Sequence, residues 1–394
     1  QNSPKKDRSL EQFRKVHFVM AFLVSVIALL VYLTTVTTGV MPGEPADTLG
    51  YLCGIKANLI SRHMVWRELI SLAVAAGGTH FVLAVNLMCS VFSALAIGML
   101  YLVGASLVSI MIDRDHLNLT VMKNGRRHAN ALCMVSGIFS AVVLAFSAPY
   151  WVAATQPYFH SFYLFWLLLA IFMLLRFAET LKHFYLYSFC ILYSLGMTQT
   201  SCFLAFAPLC YGCALFVLWS NDRLSVKLFW RIVLISLAGG CLFFVNAAEF
   251  YGSPGYVLAG SSGYIAILKG LVRGVLGGIL GSLPRVGWMI VLGMTIAPCL
   301  AILLTGHRAL NGEKDWSFYA LNVAVLIVTV AVVLDTRASP WQFYNVESLQ
   351  IVPYAMMSLA FGYMMAYLYS LTLHLFAAEV DGRPNRVPNA IRYA

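Results

Sequence analysis

The chain has 394 residues, of which 60% are hydrophobic and only 11% are charged. Soluble domains carry roughly 45–50% apolar and about 25% charged residues, so this composition excludes a soluble enzyme, a disordered chain and a disulfide-stapled secreted module. The 26 Lys and Arg residues exceed the 16 Asp and Glu residues, but they lie between long apolar runs and form no clustered face, which argues against nucleic acid as a partner. The sequence therefore predicts an all-α polytopic membrane protein in contact with membrane lipids.

Long apolar runs define the predicted elements along the chain. A helix needs about 20 apolar residues to cross a hydrocarbon core of roughly 30 Å, and we identify about ten such runs. Neither a repeat nor a linker separates them, so we expect residues 1–394 to form a single transmembrane domain. The predicted spans are residues 16–38, 81–111, 129–149, 158–176, 184–200, 202–220, 228–249, 286–305, 317–335 and 348–377.

Basic residues predict the orientation. The first run follows a basic segment and lacks a small-residue cleavage site, so we expect an uncleaved anchor. With the N-terminus in the cytoplasm, 19 of the 26 Lys and Arg residues fall in cytoplasmic segments, including a tail at 378–394. Cytoplasmic loops are enriched in these residues. We therefore expect both termini to be cytoplasmic.

Two predicted outer segments are long, and such segments in a compact protein usually carry function. The first outer loop covers residues 39–80, and a glycine-rich segment covers 250–285. Within the first loop, residues 45–60 and 64–76 have apolar side chains on one helical face. We expect two amphipathic helices there, lying along the membrane surface.

The first outer loop begins with a pair of carboxylates. Glu44 and Asp47 are three residues apart, so in a helical turn they share one face. A carboxylate there suits a general base, and the pair suits a divalent cation. The alternative is capping, because Pro45 can open a helix and acidic residues at its N-terminus favour the macrodipole.

A set of outer basic residues forms the second candidate site. Cations at a membrane surface attract phosphate, and Arg grips it through two hydrogen bonds. Such groups suit a lipid-linked phosphate at the outer leaflet, whereas the alternative is that they extend from helix ends to ordinary head groups. The candidates are Arg62, His63, Arg67, Lys269, Arg273 and Arg285.

Aromatic and amide side chains form the third candidate site. Tyr and Trp collect at membrane interfaces in any case, so an aromatic belt is one interpretation. Stacking on sugar rings or contact with an acceptor is the other, since polar groups at membrane depth usually face a cavity or a partner. The candidates are Trp151, Gln156, Tyr158 and Gln199.

The order of these features resembles a known family. The paired carboxylates are followed by Ala84-Val85-Asn86-Leu87, by Ser90, and by Phe92-Ser93-Ala94-Leu95-Ala96. Ala145-Phe146-Ser147-Ala148-Pro149-Tyr150-Trp151, Gln156-Pro157-Tyr158 and Tyr193-Ser194-Leu195-Gly196-Met197-Thr198 then follow in the same order. Over about residues 39–220 the chain resembles the bacterial protein O-mannosyltransferase-like family of the GT-C glycosyltransferase superfamily.

The resemblance implies a fold and an activity. It implies a GT-C-like arrangement in a bacterial inner (plasma) membrane and transfer of a sugar from a polyprenyl-phosphate donor to an acceptor hydroxyl of a protein or glycan on the outer face. An inverting mechanism fits, with a first-loop carboxylate as general base. Glu44 and Asp47 occupy the family's acidic position in the reverse order, and we prefer Asp47 as the base.

Three departures from the family's pattern favour an alternative. Ser61–Trp66 replaces a His-Pro turn, Gln156 stands where a Glu is expected, and Gln199 or Thr200 stands where a His is expected. The alternative is a non-catalytic membrane subunit or scaffold that binds partner subunits. A transporter is third, because the spans carry almost no charge at mid-membrane depth and contain no inverted repeat.

Overall fold

The computed structural model describes residues 4–40, 64–115, 125–198 and 201–241, together with 46, 49, 50 and scattered positions between 351 and 369. All the regular elements in these ranges are helices, and no strand occurs among them. The α-helices are α1 (Pro4–Thr35), α2 (Met64–Gly77), α3 (Phe81–Asp115), α4 (Gly125–Ala145), α5 (Ala148–Thr155), α6 (His160–Thr180), α7 (His183–Met197), α8 (Ser201–Ser220) and α9 (Val226–Gly239).

Four helical stretches are long and apolar enough to cross a membrane: Lys15–Thr35, Val65–Ile110, His128–Ala145 and His160–Thr180. They overlap the first four predicted spans, since uninterrupted apolar sequence leaves a helix as the only way to satisfy the backbone in lipid. The part of the chain that the structure describes is therefore all-helical and typical of an integral membrane protein. The predicted count of about ten spans is not confirmed, because residues 286–335 lie outside the described residues.

Helix α3 lies at the centre of the bundle and packs against α1, α4 and α6. Near the start of α1, His17 Nδ1 lies 2.9 Å from Tyr101 Oη in the second half of α3. Just after the end of α1, the Thr37 carbonyl oxygen accepts a hydrogen bond from Asn86 near the start of α3. Helices α1 and α3 are therefore antiparallel. Phe92 packs edge-on against Phe162 at 4.9 Å between ring centroids, so α6 starts beside the first half of α3. The chain therefore alternates in direction and creates two distinct ends.

We name these ends by what they carry. The loop end is where α1 ends and the first predicted outer loop begins, and where α5 joins α4 to α6. The basic end is where α6 turns into α7 and α8 turns into α9, at residues 181–182 and 221–225. The two short helices α7 and α9 run side by side from the basic end, so that Gly239 contacts Ser194.

Helix α2 lies where the second of the two helices was predicted in the first outer loop, but it packs into the bundle instead of lying along the membrane surface. Trp66 stacks on Phe162 at 5.8 Å between ring centroids, and Phe92 contacts that same ring. Trp66 and Phe92 could not both reach one ring if α2 and α3 were collinear, so α2 folds back along α3 through the turn at Gly78, where φ is +52°. Its apolar face is therefore buried in the bundle, with Trp66 and Ile70 almost inaccessible. The predicted helix at 45–60 lies almost wholly outside the described residues.

A late segment of the chain packs on α4. The described positions between 351 and 369 are helical, and Phe361 packs edge-on against Phe139 at 6.1 Å between ring centroids. A methyl group added at Gly362 would lie 2.4 Å from the Ser136 carbonyl oxygen, so glycine is what permits this close approach. Small residues at such contacts are typical of helix packing in membranes.

Candidate functional site at the loop end

A buried polar cluster lies at the loop end, where α1 passes into the first predicted outer loop. We call it the Thr37 cluster, and it consists of Thr37, Asn86, Ser90, Thr155 and Gln156. Apart from Thr37, which is partly exposed, its side chains are buried. Polar groups at this depth are costly unless they are hydrogen-bonded, so the cluster's bonds decide what it does.

Two side-chain amides hold the chain that leaves α1. Asn86 Nδ2 donates to the Thr37 carbonyl oxygen at 2.8 Å and to the Gly39 carbonyl oxygen at 3.3 Å. Gln156 Nε2 donates to Thr37 Oγ1 at 2.5 Å. The segment 37–39 is thus fixed to α3 on one side and to the end of α5 on the other, only five residues before Glu44.

The oxygen of the Asn86 side-chain amide points in a different direction from its nitrogen. Because Nδ2 faces two carbonyl oxygens, the amide cannot be turned over without facing oxygen to oxygen, so Oδ1 is directed away from residues 37–39. Asn86 Oδ1 is buried and accepts no hydrogen bond from any residue the structure describes. A buried acceptor left unsatisfied costs about 1–3 kcal/mol, and a donor arriving from outside the described residues would recover that energy.

The short helix α5 is locked into the same region by hydroxyl groups. Ser90 Oγ donates to the Ala154 carbonyl oxygen at 2.9 Å. Tyr150 is almost inaccessible, and its Oη donates to the Ser93 carbonyl oxygen at 2.8 Å. Burial raises the pKa of Tyr150 well above its ordinary value, so the phenol keeps the proton that it donates.

The structure gives three of the predicted contact residues distinct environments. Gln156 is only 1% exposed, with its amide nitrogen engaged by Thr37. Trp151 is partly buried and packs edge-on against Tyr32 at 5.8 Å between ring centroids. Tyr158 is partly exposed and stacks on His160 at 5.7 Å between ring centroids. Of the three, Trp151 and Tyr158 retain surface for a ligand.

Arg67 is the one predicted phosphate-binding residue within the described ranges. It lies in the first turn of α2, where Nε and Nη2 both donate to Glu68 Oε1 at 3.1 and 2.8 Å. A phosphate at this position would therefore share the guanidinium group with Glu68. The remaining predicted site residues, which lie outside the described residues, are Glu44, Asp47, Arg62, His63, Gln199, Lys269, Arg273 and Arg285.

No group of three or more metal-ligating side chains forms within the described ranges. The divalent-cation site predicted at Glu44 and Asp47 lies outside these ranges.

Of the Thr37 cluster, only Gln156 was predicted as a site residue. Asn86 and Ser90 were named only in the pattern that carries the family resemblance, and Thr37 and Thr155 were not named. Their only signal is a hydroxyl next to an apolar run, which is too common in membrane helices to single out a site.

The residues that carry the family resemblance are the ones that build this end of the bundle. Asn86 and Ser90 belong to the pattern that begins at Ala84, Tyr150 belongs to the segment Ala145–Trp151, and Gln156 begins the segment Gln156-Pro157-Tyr158. Each of these side chains makes one of the hydrogen bonds at the loop end. In this chain, residues of that pattern therefore fix α1, α3 and α5 together.

Comparison with known proteins gives a match to a family model and no significant match to an individual protein. No curated protein and no solved structure gives a significant match. Residues 64–225 match the family model described as the N-terminal domain of protein O-mannosyl-transferase TMEM260. That range begins with α2 and ends at the turn before α9. Over this range the chain is similar to a protein O-mannosyltransferase, and the match supports a protein O-mannosyltransferase-like family.

Proposed function

We propose that the protein is a GT-C-type glycosyltransferase of a bacterial inner membrane, which moves a sugar from a polyprenyl-phosphate donor to an acceptor hydroxyl. The observation that carries this proposal is the O-mannosyltransferase match over residues 64–225. The Thr37 cluster adds a structural reason, because it anchors the start of the loop that bears Glu44 and Asp47. A base has to be held at a fixed position relative to its acceptor.

The proposed roles follow from the chemistry of the side chains. Asp47 takes the proton from the acceptor hydroxyl, and Glu44 supports it or shares a divalent cation with it. Arg62, His63, Arg67, Lys269, Arg273 and Arg285 neutralise the donor phosphate, as Arg and Lys do for phosphates generally. Trp151, Tyr158 and Gln199 contact sugar or acceptor, while the buried Gln156 positions Thr37.

The test is sugar transfer by the full chain purified in lipid nanodiscs, with polyprenyl-phosphate mannose as donor and a Ser/Thr-containing peptide as acceptor. General-base catalysis contributes about 10²–10⁴-fold to a rate, so we expect Asp47→Asn to lower the transfer rate by at least about 100-fold. The matched control is Asp222→Asn, which removes an exposed carboxylate at the basic end and should leave the rate unchanged. Full activity in Asp47→Asn would overturn the assignment of the base.

A second function is favoured by one contact. Gln156 donates a hydrogen bond from its amide nitrogen, which the ionised Glu expected from the family resemblance could not do. Gln156 thus has a structural role, as in a non-catalytic subunit derived from the same fold. Absence of turnover by the wild-type chain with every polyprenyl-phosphate sugar tried, together with a partner that co-purifies with it, would select this second function.

A further inference from the structure

We propose that the basic end of the bundle binds an anionic phospholipid through its phosphate group, at a site separate from the loop end. A cavity of about 270 Å³ opens there between the start of α7 and the start of α9. It is lined by His183, Arg223, Ser225, Lys227, Leu228 and Arg231.

The lining has one sign of charge. Three of the six residues, Arg223, Lys227 and Arg231, carry a positive charge, and none is acidic. The lining comes from separate parts of the chain, since His183 starts α7 whereas Arg223 lies in the turn before α9. The three charged residues all lie between residues 223 and 231, and the fold places the imidazole of His183 beside them. Such a concave cationic surface attracts an anion, and two Arg guanidinium groups can each grip a phosphate through paired hydrogen bonds.

The backbone at this cavity adds further donors. Ser225 caps α9, and its Oγ accepts a hydrogen bond from the Leu228 amide at 3.2 Å. The hydroxyl proton of Ser225 is left to donate to an oxygen in the cavity. The first amides of α9 lie beside it at the positive end of the helix dipole, which favours a bound anion.

An exposed apolar surface beside the cavity indicates that the anion is attached to a lipid. Next to the cavity, Phe184 on α7 and Val226 and Trp230 on α9 are each more than half exposed. Leu234 and Leu237 extend this surface along α9 away from the basic end, and they too are more than half exposed. Acyl chains can cover that surface while the phosphate occupies the cavity. Trp is also the residue that collects at the level of lipid head groups.

This geometry differs from ordinary attraction between basic residues and membrane head groups. Lys15 and Lys182 are also exposed basic residues on the same side of the bundle, but neither lines the cavity. Removing these two charges should therefore weaken lipid binding far less than removing two charges from the cavity. That comparison supplies the matched control.

The experiment is native mass spectrometry of the full chain, titrated with phosphatidic acid, phosphatidylglycerol or phosphatidylcholine. Each Lys or Arg near an anionic surface contributes roughly a fivefold change in affinity. We therefore expect the double variant Arg223→Gln with Arg231→Gln to bind the two anionic lipids about 25-fold more weakly. Phosphatidylcholine binding should not change, and Lys15→Gln with Lys182→Gln should bind the anionic lipids like wild type.

Two results would overturn the proposal. One is an equal loss of anionic lipid in the Lys15 and Lys182 control, which would show general surface attraction. The other is displacement of the lipid by 10 mM inorganic phosphate, which would make the ligand a soluble phosphate. If the double variant does not fold, Arg223→Gln and Arg231→Gln are tested singly, each with an expected loss of about fivefold. The readout is independent of sugar transfer, so its failure is distinguishable from failure of the proposed function.

Discussion

At the scale of single residues, the Thr37 cluster shows how uncharged groups can fix the start of a loop inside a membrane protein. Thr37 accepts a hydrogen bond from Gln156 at its hydroxyl and one from Asn86 at its carbonyl. Each donor belongs to a different helix or helix end, so the three segments are held by one residue. Because the donors Asn86 and Gln156 are buried, these bonds should constrain the geometry even though each contributes little energy.

A double-mutant cycle measures that constraint. We expect Gln156→Leu and Thr37→Val to show a coupling of about 0.6 kcal/mol, the average for hydrogen bonds between helices in a membrane, and no more than about 1.7 kcal/mol. The measurement is the free energy of unfolding in a denaturing-detergent titration. Thr34→Val is the control partner, since Thr34 Oγ1 bonds only locally to the Val31 carbonyl oxygen at 2.7 Å. Equal coupling of Gln156 to Thr34 and to Thr37 would show that the contact has no specific role.

At the scale of elements, close packing of α3 and α4 depends on glycine. A methyl group added at Gly137 would lie 2.7 Å from the Tyr101 ring carbons and 2.9 Å from the Tyr101 carbonyl oxygen. Tyr101 is inaccessible, and its hydroxyl is held by His17 at 2.9 Å. The ring cannot move aside without disturbing the contact between α1 and α3. One small residue thus sets the spacing of three helices.

We therefore expect Gly137→Ala to destabilise the bundle by about 1–3 kcal/mol, which is the usual cost of overpacking. The control is Gly212→Ala in α8, where nothing lies within 4 Å of the added methyl group. That change should be neutral or slightly stabilising, because alanine restricts the unfolded chain more than glycine does. Thermal unfolding in detergent compares the two variants. A Gly137→Ala protein as stable as the Gly212→Ala protein would contradict the close contact.

The same elements show what the sequence could and could not predict. Continuous apolar runs determined α1, α3, α4 and α6, because such runs satisfy their backbone only as helices in lipid. The fold-back of α2 onto α3 was not predicted, because nothing in the sequence around Trp66 indicates that it packs on the distant Phe162. Gln156 was predicted as a ligand contact, and only its distance to Thr37 reveals a positioning role. Pairings between distant segments carry no local sequence signal.

At the scale of the whole molecule, the alternating directions of α1, α3, α4 and α6 give the bundle two chemically different ends. The basic end includes Arg223, Lys227 and Arg231, whereas the loop end carries the uncharged Thr37 cluster. Loops rich in Lys and Arg stay in the cytoplasm during insertion. An enzyme that receives a lipid-linked donor on the outer face would thus have its catalytic carboxylates on the side opposite to the proposed phospholipid site.

Cysteine labelling in intact cells tests this orientation. We expect Thr38→Cys, exposed at the loop end, to react with a membrane-impermeant maleimide added outside, whereas Asn221→Cys, exposed at the basic end, should react only after permeabilisation. Both variants also carry Cys241→Ser, which removes the native cysteine that is exposed among the described residues, and this background protein gives the baseline signal. The opposite labelling pattern would place the carboxylates of the first loop in the cytoplasm. It would rule out transfer on the outer face, because the base and an outer-leaflet donor would then lie on different sides of the membrane.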